Sequence, residues 1–216
     1  FEMAALEKAA AGTKEETGIS FEFAAEGTVT EITATGIGAH ASTPDVGNNA
    51  LTGLLVFLGK LDFASCPQVD MVRKTASLFP HGDVNGKTLG VAMEDELSGN
   101  LTLSFNMLSV DAASMDGEFD GRIPVCGNDE NVLEVVRARM AEQGLTLLNK
   151  ALIPPHHVSA DSYFVKTLLA AFELYTGRKG ECQALGGGTY VHHLENGVAF
   201  GAAMPETDNK MHGPDE

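Results

Sequence analysis

The chain has 216 residues, with 14 Lys and Arg against 30 Asp and Glu, for a formal charge of −16. An apolar content of 44% is that of a packed globular protein and excludes a disordered chain. The acidic balance argues against nucleic acid as a partner, because phosphate binding needs clustered Lys and Arg. The longest apolar stretches, such as residues 51–58, fall far short of the ~20 residues that a membrane-spanning helix requires. No basic segment leads into an apolar one near the start, so no signal peptide is expected. Three widely spaced cysteines, Cys66, Cys126 and Cys182, form no CxxC pair. They suit a reducing cytoplasm and small buried hydrophobes rather than a disulfide framework. The chain opens at Phe1 inside a helix-forming stretch and closes at Glu216 after a charged loop, which reads as a piece of a longer protein.

Residues 1–16, FEMAALEKAAAGTKEE, are rich in strong helix formers, and Gly18 ends the pattern. Residues 20–25 and 28–35 carry β-branched and aromatic side chains around Glu26-Gly27, a hairpin signal. The loop GIGAHASTPDVGNNA (36–50) follows, and Asn48 or Asn49 can cap an apolar helix running to about Leu61. Cys66-Pro67 breaks the chain, residues 69–79 predict a second helix, and residues 82–99 are rich in turn formers. Residues 101–110 and 115–125 read as paired strands. Residues 128–143 read as an amphipathic helix with Asp129 and Glu130 in its first turn, where the dipole favours anions. A further strand is expected at 145–153. This order predicts an α+β fold, with helices on one face of a mainly antiparallel sheet.

Pro154-Pro155 is the best internal boundary, since neither residue continues a strand or helix. Beyond it a helix is expected at 162–176, stopped by Gly177, then a turn at Gly186-Gly187-Gly188 and a strand at 198–203. Some sixty residues with this little apolar content are marginal as an independent unit. The segment is expected to pack on another part of a larger protein.

Four features can carry chemistry. His40, in a loop after glycine and before Pro44, can donate a hydrogen bond to a developing oxyanion or a substrate carboxylate, or can be a surface or capping histidine. Gly187 and Gly188, with Gly186 and Thr189, allow close backbone approach and an anion-binding nest, or simply a tight turn. They are not a P-loop, because no Lys follows. His212, in HGPDE, is a possible metal ligand, yet zinc needs three or four ligands held together. Arg122, in FDGRIPV, can grip a carboxylate bidentately or form a surface ion pair with one of the 30 acids. The adjacent pairs His156-His157 and His192-His193 point to opposite faces if the chain is extended, and make no shared metal site.

In combination these segments resemble the metal-dependent dipeptidases of the aminoacylase/carnosinase superfamily, and among them the bacterial PepV-type (Xaa-His) dipeptidases. GIGAHASTPDVGNNA is similar to the family's lid motif, EDELSGNLTL (94–103) to its acidic turn before a lid strand, and FDGRIPV (119–125) to its Asp-x-Arg-Tyr-Pro strand end. LGGGTYVHHLENGVAF (185–200) is similar to its Gly-Gly-Gly-Thr-Tyr loop, and His212 with Glu216 to its closing His-x-x-(Asn/Asp)-Glu motif. The resemblance implies a ferredoxin-like lid at 1–155, built of two fused units. It also implies a C-terminal strip, 156–216, of an α/β zinc-peptidase catalytic domain.

By that resemblance two divalent ions, zinc, polarise the peptide carbonyl of a dipeptide and activate a water. His40 stabilises the oxyanion, Arg122 with the Gly187 and Gly188 backbone holds the substrate carboxylate, and His212 binds metal. The family's other metal ligands and its Glu-Glu pair lie upstream and are not in this sequence, so the fragment alone is expected to be inactive. Glu94 and Glu96 belong to the lid segment and do not replace them. Ile123 stands where an aromatic is common, and His192-His193 where Ala-Arg often follows the tyrosine. Two other functions remain open: an N-acyl amino acid deacylase or desuccinylase of the same superfamily, and a non-catalytic self-association module. The fused lid units imply a monomer, with a homodimer as the alternative.

Overall fold

Apolar and small side chains at 6, 9, 13 and 17 recur at helical spacing, and in the computed structural model they form the buried stripe of α1 (Met3–Thr17). The structure describes residues 1–201 and 204. The buried hydroxyls on this stripe are satisfied within the helix: Thr13 Oγ1 donates to Ala9 O and Thr17 Oγ1 to Thr13 O, each at 2.8 Å. Gly18 takes the left-handed conformation that ends the helix, with φ 75° and its N–H bonded to Lys14 O.

The predicted hairpin follows as β1 (Ser20–Glu26) and β2 (Val29–Thr35), antiparallel and in unbroken register. Helix α2 (Ala50–Gly59) is capped by Asn49, not Asn48: its side chain accepts from Thr52 N at 3.1 Å. Phe57 on α2 is fully buried and stacks on Phe21 of β1, with ring centroids 4.7 Å apart. Leu6 and Ala9 of α1 and Leu61 complete this first core.

A similar order then recurs with a short ladder inserted: α3 (Pro67–Leu78), the β3–β4 ladder (Glu94–Asp95 with Gly99–Asn100), β5 (Thr102–Val110) and β6 (Met115–Arg122). The last helix begins as a π-helical turn (Asp129–Leu133) under an Asn128–Asn131 capping box and continues as α4 (Glu134–Glu142). Phe79 stacks on Phe105 at 4.5 Å, inside a core built from Leu78, Leu89, Val91, Leu101, Leu103 and their neighbours. Leu101, Leu103 and Phe105 point inward at strand period, but the next inward residue is Leu108 rather than Met107. A register shift between Phe105 and Met107 inserts Asn106 as an extra residue and reverses the facing of everything after it.

Three expectations fail. The strands do not join into one sheet: among the described residues they form three separate two-stranded ladders, with α2 packed against both β2 and β5. The fold class is nonetheless α+β. Nor is 145–153 a strand. Its backbone groups find other partners, Leu152 N donating to Asp129 Oδ1 at 2.8 Å and Asn149 O accepting from Arg137 Nη2 at 2.7 Å. Leu145, Leu147 and Leu152 meanwhile pack on the second core. Helix α5 (Tyr163–Thr176) forms as predicted, capped by Ser162 and ended by Gly177 at φ 69°. The strand expected at 198–203 is absent over its described part, 198–201. No helix among the described residues is long and apolar enough to cross a membrane.

Candidate functional site

The loop that carries His40 is closed at its base by a two-way backbone bridge. Ile37 N donates to Asn48 O at 2.9 Å and Asn48 N to Ile37 O at 2.8 Å. The flanking glycines are required by that approach: a Cβ on Gly36 would lie 2.1 Å from Asn48 O, and one on Gly47 2.8 Å from Ile37 O. Within the loop, Thr43 N donates to His40 O at 2.9 Å. His40 is half-buried, and its Nδ1 lies 2.7 Å from Ser42 Oγ and accepts from Ser42 N at 3.2 Å. The loop is also tied to the second hairpin, where Thr102 Oγ1 donates to Ala41 O at 2.9 Å.

Thr102 is the register partner of Arg122 at the ends of β5 and β6. Arg122 makes the ion pair that was one of its two sequence readings. Its Nε donates to Asp120 Oδ1 at 2.6 Å and its Nη2 to Asp120 Oδ2 at 3.0 Å. Both side chains are about one-third exposed (30% and 35%), so the pair adds on the order of 1 kcal/mol or less to stability. Its effect is to hold the planar fork in one orientation with Nη1 left over. That nitrogen faces the glycine loop: a Cβ built on Gly187 would stand 3.4 Å from Arg122 Nη1. The neighbouring Gly186 lies against the His40 loop, since a Cβ there would come within 2.7 Å of Ser42 Cβ.

Three stretches far apart in sequence, around 40, 122 and 187, therefore meet. Gly188 is exposed beside the His192 ring, with its would-be Cβ 4.0 Å from His192 Nδ1. His212 lies outside the described residues. Among the described residues no group of three or more His, Cys, Asp or Glu side chains is placed to hold a metal ion. The described part of the chain therefore offers no complete donor set for the two implied ions.

The expectation that His192 and His193 face opposite ways does not hold. Their rings meet edge to face at 5.4 Å, because 190–193 is a turn rather than extended chain. His156 joins them at 5.8 Å from His192 and bonds Gly197 O at 2.7 Å.

The acidic turn supports the chain just past Arg122. Asp95 accepts from Ser98 N at 2.7 Å and Leu97 N at 2.9 Å on Oδ1, and from Cys126 N at 3.0 Å on Oδ2. Ser98 Oγ accepts from Val125 N at 2.8 Å. The Ser98 backbone N–H above all, with the other donors, lowers the Asp95 carboxyl to about 2. Desolvation first, and then the adjoining Asp95, push the Cys126 thiol up. All three cysteines are free thiols, but none is buried, so they are not the small buried hydrophobes expected.

Sequence reasoning missed Ser42, Asp120 and Thr102. Asp120 was within reach of it, because residues two apart on a strand share a face and an acid two before an arginine is placed to pair with it. Ser42 and Thr102 matter only through contacts made by folding.

No family model matches the chain. It is similar to the beta-Ala-Xaa dipeptidase of Lactobacillus delbrueckii subsp. lactis, 33% identical over 187 residues, covering 86% of this chain and 39% of that protein. The YtjP protein of Bacillus subtilis (strain 168), which carries a dipeptidase name, is 37% identical over 186 residues, covering 84% of this chain and 38% of that protein. A Staphylococcus epidermidis (strain ATCC 12228 / FDA PCI 1200) protein, also named as a dipeptidase, is 29% identical over 187 residues. The similarity is to dipeptidases. The chain spans about 39% of the length of the curated relatives it matches.

Proposed function

We propose that this chain is part of a dinuclear-metal dipeptidase of the PepV type, in which 1–155 is a lid that closes over the substrate and 156–216 is a strip of the catalytic domain. Arg122 Nη1 and the Gly187 and Gly188 backbone N–H groups hold the free carboxylate of the dipeptide, and His40 donates from Nε2 to the oxygen that becomes negative in the transition state. Two divalent ions, zinc, would supply Lewis-acid chemistry, and His212 would be among the residues that hold them. The chain's described residues bind, orient and donate hydrogen bonds. Closure of the lid excludes water from them.

The observation that carries the reading is the meeting of Arg122 with Gly187 and of the His40 loop with Gly186. The similarity to dipeptidase-named relatives supports the same substrate class. The test is dipeptide hydrolysis by the complete protein that carries this chain. His40→Ala is expected to lower kcat at least ~10²-fold, the usual loss for one oxyanion donor, and an unchanged kcat returns His40 to a structural role. Arg122→Ala is expected to raise KM for dipeptides with a free carboxylate and to leave C-terminally amidated ones nearly unaffected. An equal effect on both would count against the carboxylate contact.

A further inference from the structure

A backbone N–H can only donate, so the 3.2 Å bond from Ser42 N to His40 Nδ1 makes that ring nitrogen an acceptor. The Ser42 hydroxyl, 2.7 Å from the same nitrogen, therefore donates to it as well. A neutral imidazole whose Nδ1 accepts carries its proton on Nε2. One residue thus fixes both the tautomer and the direction of the ring, by two bonds that span only two positions in sequence. Ser42 is itself held from two sides. The preceding carbonyl, Ala41 O, accepts from Thr102 Oγ1 at 2.9 Å, opposite Arg122 on the ladder. Gly186 presses close enough that a Cβ there would come within 2.7 Å of Ser42 Cβ.

We propose that Ser42 is the positioning residue of His40, locking the Nε2–H tautomer and fixing the direction of the ring. The role rests on the reading of His40 as an oxyanion donor. It also places Gly186 of the glycine loop against the residue that orients the donor.

Two measurements test this. Nitrogen NMR of this chain labelled at histidine, in mildly alkaline buffer, with His40 assigned by its loss in His40→Ala, is expected to show a bare Nδ1 and a protonated Nε2. In Ser42→Ala the Nδ1 resonance moves downfield as it loses the hydroxyl donor, and in Ser42→Thr it returns. In the complete protein, Ser42→Ala is expected to lower kcat about 10- to 100-fold, as removing a partner that orients a functional imidazole does. KM changes little and Ser42→Thr restores kcat, which a loss of folding would not allow. A protonated Nδ1 in the unsubstituted chain overturns the proposal. So does a Ser42→Ala variant with unchanged kcat where His40→Ala lowers it. Unchanged kcat in His40→Ala overturns the oxyanion reading instead, and the nitrogen spectrum still decides whether Ser42 holds the ring.

Discussion

In residues 1–152 the two longer hairpins each pack through a pair of stacked phenylalanines, Phe21 with Phe57 of α2 and Phe105 with Phe79 just past α3. In residues 156–201 the apolar side chains are just as large but lie outward: Tyr163 is 87% exposed, Tyr175 86% and Tyr190 84%. Of the buried apolar residues described, only Val165 and Val191 come from this second region. The first region holds itself together. The second contributes loop atoms to the candidate site, Gly186 against Ser42 and Gly187 against Arg122, while leaving most of its own apolar surface uncovered. A stretch can contribute atoms to a candidate site without supplying stability, provided another part of the molecule fixes the partner groups.

Substitutions can break that contrast. The largest effect is expected for Phe57→Ala, which removes a fully buried ring that stacks on Phe21 and leans on Phe23. A loss of about 3–5 kcal/mol in urea unfolding is expected, and a loss near zero would mean that the first core does not carry the fold. A smaller effect is expected from acid. Asp95 is held at about 2 against an ordinary 3.8, so its carboxylate form is favoured by the fold. Its contribution is complete above 3.8 and is lost as pH falls from there toward about 2. Asp95→Asn should flatten acid unfolding across that window, followed by circular dichroism, and an unchanged profile would contradict it. The smallest is Tyr175→Ala, expected to stay within about 0.5 kcal/mol of the parent in the same urea experiment. A large loss there would show that α5 is anchored more firmly than its exposure indicates.

How far the sequence reaches follows the range of the interactions. Helices α1, α2 and α5 were legible because their stripes and end signals are local: Gly18 and Gly177 stop α1 and α5 where the pattern puts them, and Asn49 is one of the two caps it offered for α2. The first hairpin was legible from β-branched and aromatic runs around Glu26-Gly27, and 101–110 with 115–125 as paired strands, whereas the short β3–β4 ladder was read only as a turn-rich stretch. The strand expected at 145–153 was not formed, because apolar alternation cannot tell a ladder partner from a segment laid on a core, and Asp129 and Arg137 claim its backbone groups. The bulge at Asn106 leaves no mark in composition. In the site, His40, Arg122 and the glycines were singled out from residue type and motif, whereas their contacts through Ser42, Thr102 and Asp120 exist only once distant stretches meet.

Asn49 joins the two halves of the first region with a single amide. Its oxygen caps α2 through Thr52 N, and its nitrogen donates to Phe105 O at 2.8 Å, the carbonyl beside the extra residue of β5. Hydrolysis of that amide to aspartate, the ordinary chemical ageing of asparagine, would exchange one atom. The cap would survive, but a carboxylate oxygen would then face a carbonyl oxygen across the seam between helix and bulge. Chemical ageing at this one position would leave the first helical turn intact and loosen its attachment to the strand that leads, through Thr102, to the His40 loop.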